Sequence, residues 1–453
     1  MDARLVQARE RLRTSLWVVP TICTLVVALL AAAVIAFDQQ AGPGDSQLLW
    51  SFQGGADAAR TVLTTIAASM ITVAGTVYSL TIVALTLTSV QFAPRVLRHF
   101  MRDRGNQVVL GFFVATFAYC LLVLRVVRGP GADEFVPRSA VAGGLLLALI
   151  SLGMLIYFID HIFHSIEASN ILASVAHETE RQIDFIYPTV WTAGADAPPP
   201  TRPPGEWAVV PAQRSGYWQY VDTAALLEIA IRHDVVLWQE RRIGTFFANG
   251  APLIEVLPAG RVTPGLSSAL NAAFALGRAP TLQQDVAYGF RQIVDIALKA
   301  LSSAVNDPTT AENCIDHLGA LLLRLASRCF PPMDLRDAAG QMRVYLNERN
   351  FHDMVRLAFD QVRHYAASDH VVLMRILDAL TQVAGAAGSP AHRATILEVV
   401  EHIAATAARS LADPLELGAV QRHVAAARVA CVAGRNAPAT AGVVADRDVP
   451  TSG

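Results

Sequence analysis

TVLTTIAASMITVAGTVYSLTIVALTLTSVQFAP, residues 61–94, runs for 34 positions without a charged residue. A hydrocarbon core about 30 Å thick asks for about 20 apolar residues per helix, so this stretch outruns a single crossing. Three further charge-free intervals lie beside it: 24 residues between Arg13 and Asp38, 20 between Arg104 and Arg125, and 21 between Arg138 and Asp160. Spans near 16–37, 62–90, 106–126 and 139–159 therefore predict a transmembrane domain over 1–160. Composition agrees, with 53% apolar and only 16% charged residues, against roughly 25% charged in a soluble domain.

The first apolar run is longer than the 7–15 residues of a secretory signal, and no clear small-residue cleavage site follows it, so it reads as a retained anchor. Arg4, Arg9, Arg11 and Arg13 precede span one, and Arg95, Arg98, Arg102 and Arg104 follow span two. The opposite loops carry fewer arginines and several acids. Positive residues favour the inner side, which predicts both termini in the cytoplasm.

After span four, DHIFHSIEASNILASVAHETERQIDFIY continues without a breaker to Pro188 and predicts one uninterrupted stalk helix over 161–188. A proline-rich linker, 189–206, follows and suits an extended spacer. Residues 207–260 alternate in short β-branched runs bounded by Gly, Asp and Asn, a small β-rich module whose turn spacing resembles the barrel-sandwich hybrid. From 261 to 434 seven segments carry apolar residues at three- and four-residue spacing, a helical bundle. Residues 435–453 have no periodicity and are expected to be disordered. The fold class predicted is mainly α: four transmembrane helices, then a cytoplasmic α+β region.

Several chemistries are excluded. With 36 basic and 38 acidic residues the net charge of −2 invites no nucleic acid. Lys299 is the one lysine, four residues after Asp295, so a P-loop, a Schiff base or a lipoyl site has no other residue to rest on. The five cysteines form no CxxC pair and propose neither a disulfide framework nor a zinc site. His177-Glu178 lacks the second histidine of HExxH. No catalytic motif and no cofactor is expected, and the chain reads as a non-enzyme.

Candidate sites remain. Thr65, Ser69, Thr72, Thr76 and Ser79 recur at steps of 4, 3, 4 and 3, and Thr86 extends the series, drawing a hydroxyl stripe along span two. It either lines a hydrated path in an oligomer or packs helices closely. Arg95, Arg98 and Arg102 form a basic cytoplasmic mouth or serve topology alone. His161, His164 and Glu167, at steps of three, are candidates for a metal site, against solvated interfacial polarity. Gln284, Asp285, Arg291, Asn306 and Asp307 could gather as a polar cluster for a ligand or a partner subunit, while Asn306-Asp307-Pro308 alone reads as helix punctuation.

Two blocks, SLTIVALTLTSVQFAPRVLRHFMRDRGNQVVLGFFVATFAYCLLVLR at 79–125 and LGRAPTLQQDVAYGFRQIVDIALKALSSAVNDPTTAENCIDHL at 276–318, resemble the bacterial predicted membrane protein family filed as domain of unknown function 2254. The resemblance runs from about residue 8 to about residue 430. It implies four N-terminal spans and a large cytoplasmic region, in a bacterial inner membrane, and carries over no catalytic residues. In this chain Ser303-Ala304-Val305 stands where the family more often has proline and glycine. The functional expectation is a homo-oligomeric channel or gated pore for small ions in a lipid bilayer, with a cytoplasmic regulatory region. The alternative is a non-conducting anchored scaffold or sensor for a cytoplasmic partner.

Overall fold

The computed structural model describes residues 17–40, 52–91, 104–129, 135–188, 200–330 and 334–433. The tail from 435, the arginine-bearing N-terminus and the basic segment after span two lie outside them. The chain divides into two units, Met1–Val175 and Ala176–Gly453.

Among the described residues of the first unit four helices are long and apolar enough to cross a membrane. They are α1 (Val18–Gln40), α2 (Ala56–Gln91), α3 (Arg104–Leu124) and α4 (Arg138–Ile166). Small residues set how closely they pack. A Cβ on Gly111 of α3 would fall 2.9 Å from the Pro20 backbone of α1, and one on Gly143 of α4 would fall 2.5 Å from the Tyr119 hydroxyl. That hydroxyl donates to the Ala140 carbonyl at 2.9 Å. Outward, Leu25, Leu29, Leu149, Leu152 and Ile156 are exposed, the inversion a lipid surface requires.

Polar pairings fix one end of this bundle: Asp38 Oδ2 accepts from the Ala140 N–H at 3.0 Å, and Arg60 donates to the Val127 carbonyl at 3.2 Å. Counting from Arg60, the 18 steps to Tyr78 rise about 27 Å at 1.5 Å per residue, close to a hydrocarbon core. There Tyr78 meets Trp17 and Asn106 around one groove. The second helix runs on to Gln91, and Ala84 of this overshoot shares a buried cluster with Phe158 and Ile162 of α4.

The expected single stalk helix is two helices. α4 ends at Ile166, Glu167 turns to extended backbone (φ −65°, ψ 128°), and α5 (Ala168–Ile186) begins anew. At the break Asn170 Nδ2 donates to the His164 carbonyl at 2.9 Å, and the Glu167 carboxylate accepts from Ser169 Oγ at 2.6 Å and Asn170 Nδ2 at 3.1 Å.

The second unit also departs from a module closed within 207–260. Its larger sheet, ordered β1-β5-β3-β8-β7, joins β1 (Ala208–Pro211), β3 (Val236–Gln239) and β5 (Pro252–Leu257) to β7 (Asp334–Arg336) and β8 (Met342–Leu346) from within the stretch predicted to be all helical. β3 and β8 pair in parallel and the other pairs are antiparallel. A smaller sheet orders β4 (Phe246–Phe247), β2 (Gly216–Val221) and β6 (Phe274–Gly277). Phe274–Gly277, within the stretch expected to be a helical bundle, is a strand because it completes this sheet beside β2. Trp218, Phe247 and Phe274 meet in the core with Leu237, Val256 and Val344 of the larger sheet.

Helices α6 (Thr223–His233) and α7 (Pro264–Ala273) cover these sheets, followed by α8 (Val286–Ala300), α9 (Pro308–Ala326), α10 (Phe351–Tyr365), α11 (His370–Ala386), α12 (Pro390–Ser410) and α13 (Pro414–Ala433). Their starts are written locally. Asp222, Thr263, Asp307, Asp369 and Ser389 each accept from a first-turn N–H, and Asn350 closes a capping box with Asp353. Residues 200–206 are not helical, and Arg202 pins them by pairing with Glu240 and Glu255 and lying 4.6 Å over the Trp207 ring.

Candidate functional site

Thr65, Ser69, Thr72, Thr76, Ser79 and Thr86 all fall on the exposed face of α2. The packing of α2 within one chain uses another face, through Ala59, Leu63, Ile66, Ala67, Ala74, Val77 and Ala84. Close packing among the four spans therefore does not account for the stripe. Four of its hydroxyls donate one turn back: Thr65 to Thr61, Thr72 to Ala68, Thr76 to Thr72 and Thr86 to Ile82, at 2.8–3.1 Å. These bonds satisfy the hydroxyl donors and leave each oxygen free to accept.

Arg95, Arg98 and Arg102 lie outside the described residues. His161, His164 and Glu167 are drawn to separate tasks. The His161 ring stacks on Tyr157 at 5.3 Å, His164 Nδ1 sits 2.8 Å from the Asp160 carbonyl, and Glu167 accepts from Ser169 Oγ at 2.6 Å. Among the described residues no group of three or more His, Cys, Asp or Glu is placed to hold a metal.

The polar cluster disperses likewise. Gln284 clamps the Val221 backbone, accepting its N–H at 2.8 Å and donating to its carbonyl at 3.1 Å. Arg291 donates to Gln361 of α10 at 2.9 Å. Asn306 takes a left-handed turn (φ 49°), and Asp307 caps α9 by accepting from the Thr310 N–H at 3.0 Å. The Thr310 hydroxyl and that amide hold the Asp307 carboxyl below its ordinary range. Of the five, Asp285 is the buried carboxylate, and Arg291 lies near enough for its charge to act on it.

An electrostatic cluster around Asp285 forms where the parallel strands β3 and β8 end side by side, at Gln239 and Leu346. Carboxyl ends of adjacent parallel strands are where α/β sheets gather functional side chains. The segment leaving β3 supplies Arg242, and the segment leaving β8 supplies Asn347, Glu348 and Arg349. Arg242 donates to Asn347 Oδ1 at 3.3 Å and pairs with Asp353 at 2.9 Å. Asp285, at the start of α8, closes the cluster. A Cβ on Gly244 would lie 2.3 Å from Asp285 Oδ2, and Gly244 holds φ +84°, so both space and backbone demand glycine.

Burial pushes the Asp285 carboxyl up to about 6, against the pull of Arg349, the first amides of α8 and Arg291. Glu348 is pushed up to about 7 by burial and then by the charge of Asp285, with Arg349 and Arg242 opposing. Tyr187 is raised by burial, then by Glu348 and Asp285. Arg349 Nε has no hydrogen-bond partner. Burial thus raises both carboxyls above their ordinary range, and the charge of Asp285 raises Glu348 further.

Tyr187 follows α5, and α5 is locked to this unit. A Cβ on Gly289 of α8 would fall 2.1 Å from Thr179 Oγ1, Gln182 donates to the Gln283 carbonyl at 2.9 Å, and Asp184 takes Arg324 and Arg328 at 2.8 Å. The helix that leaves the membrane unit thus ends against the acid pair. Sequence reading missed Tyr187, Arg242, Glu348 and Arg349. The available signal was MRVYL at 342–346, a strand-like run closed by a charged Glu-Arg step.

Four apolar crossing helices joined to a unit of two sheets and many helices define a multi-pass membrane protein. The chain belongs to the family described as Predicted membrane protein (DUF2254), whose model matches residues 13–382. It is similar to uncharacterized proteins of Mycobacterium tuberculosis and Mycobacterium bovis, 35% identical over 424 residues, which cover 91% of this chain and 81% of each relative. No solved structure matches it.

Proposed function

We propose that several copies of this chain assemble in a bacterial inner membrane around an axis lined by the hydroxyl face of α2, forming a gated path for small ions. The second unit hangs in the cytoplasm as its regulator. One observation carries the reading: the six hydroxyl residues lie together on the face of α2 that its own chain leaves uncovered. Hydroxyl oxygens arrayed along a helix are suited to replacing part of an ion's hydration.

Purified full-length chain in planar bilayers tests it. Thr72→Leu with Thr76→Leu is expected to abolish a conductance the parent chain displays, and a photo-crosslinking residue at position 79 is expected to join copies. No conductance in the parent, or one untouched by the double substitution, removes the proposal. A non-conducting membrane-anchored sensor is the second reading, favoured by the acid pair at the end of α5. It predicts a stoichiometric cytoplasmic partner in pull-downs from native membranes.

A further inference from the structure

The groove where α1, α2 and α3 meet encloses about 540 Å³, within the range of about 300–1,000 Å³ typical of ligand sites. Trp17 and Tyr78 form its exposed rim, Gly75 leaves open space on one wall, and Asn106 and Leu110 line it from α3. Its threonines are satisfied locally: Thr21, Thr24 and Thr81 each donate to a carbonyl four residues back at 2.7–2.8 Å. Asn106 differs. It is 7% exposed, and neither Oδ1 nor Nδ2 has a partner. A buried amide left unpaired carries a desolvation penalty, which an occupant of the groove would relieve.

The walls define that occupant. An amide offers one acceptor and one donor face, so it matches a head group with a carbonyl beside a hydroxyl. The described lining residues include no charged side chain, so within that lining a phosphate or ammonium head forms no ion pair, whereas an uncharged head can use both faces of the Asn106 amide. The apolar remainder suits a hydrocarbon chain, and the rim sits about 27 Å from Arg60, at the edge of the hydrocarbon. We infer that this groove binds a long-chain amphiphile with an uncharged hydroxyl-ester head, of the monoacylglycerol class, its head on Asn106 and its chain along α2 and α3. The inference is independent of whether the protein conducts.

Native mass spectrometry of the delipidated full-length chain, titrated with monoolein and separately with dioleoylphosphatidylglycerol, tests it. The expected result is one retained monoolein per chain and no equivalent retention of the anionic lipid. Asn106→Leu removes the amide at similar volume, and Gly75→Leu fills the groove where a Cβ meets nothing. Each is expected to weaken monoolein retention about tenfold or more. Ligand-free Asn106→Leu is expected to melt no lower than the parent, since it loses an unpaired polar group. Monoolein retained equally by both variants, equal or stronger retention of phosphatidylglycerol, or no retention at all overturns the inference. A lower melting point for ligand-free Asn106→Leu also overturns it, because the amide would then have a partner in the chain. If Asn106→Leu does not fold, Gly75→Leu decides the question.

Discussion

Asp285→Asn keeps the shape of a side chain that is 6% exposed and removes its titration, so its effect on stability must depend on pH with a definite sign. The folded carboxyl titrates at about 6, against an ordinary 3.8. Because the folded value is the higher one, the folded state holds the proton more tightly, and ionisation destabilises it. The penalty is absent below about pH 3.8, grows between pH 4 and 6, and is complete above pH 6. A rise of about 2 units corresponds to about 3 kcal/mol. The variant should therefore match the parent near pH 4 and exceed it by up to about 3 kcal/mol at pH 8. Thermal unfolding of full-length protein in detergent, followed by fluorescence of Trp207, Trp218 and Trp238 from pH 4 to 8, provides the measurement. A stability difference that stays flat across that range, or a variant weaker than the parent at pH 8, would refute the burial argument for Asp285.

Gly289→Ala drives a methyl into Thr179, which is fully buried, and should cost about 1–3 kcal/mol by overpacking. Faster protease cleavage within α5 reports it. Asn350→Ala opens the capping box of α10 and should cost about 1 kcal/mol, visible as reduced amide protection over residues 351–354. Tyr119→Phe removes the hydroxyl bond to Ala140 between α3 and α4 and should cost about 0.6 kcal/mol, the scale of polar contacts inside membranes, read by unfolding in mixed micelles.

The spans were legible because hydrocarbon imposes length and charge limits that composition alone reveals. Helix starts such as Asp222, Asp307 and Asp369 were legible for a similar reason, since a cap acts within four residues. The break at Glu167 is also local, encoded in Glu167, Ser169 and Asn170, but an unbroken apolar rhythm on both sides hides it. Beyond local range legibility fails. Phe274–Gly277 is a strand only because Gly216–Val221 lies beside it, and Asp334–Leu346 joins a sheet whose other strands lie about a hundred residues earlier. The acid pair needs residues near 187, 242, 285 and 348 in one place, which no spacing rule exposes. In the membrane unit the hydroxyl stripe was visible as a pattern, but which way it faced depended on where Leu63 and Val77 pack.

The parallel pairing of Leu237 with Val344 also constrains biogenesis. At roughly 5–20 residues per second, a ribosome needs about 5–20 s to deliver the second of these strands after the first. Throughout that interval Val236–Gln239 has one flank without its neighbour, on a nascent chain whose apolar leading segments are already bound for insertion. A chaperone shielding that flank, or a pause placed after residue 346, would act on yield rather than on the finished molecule.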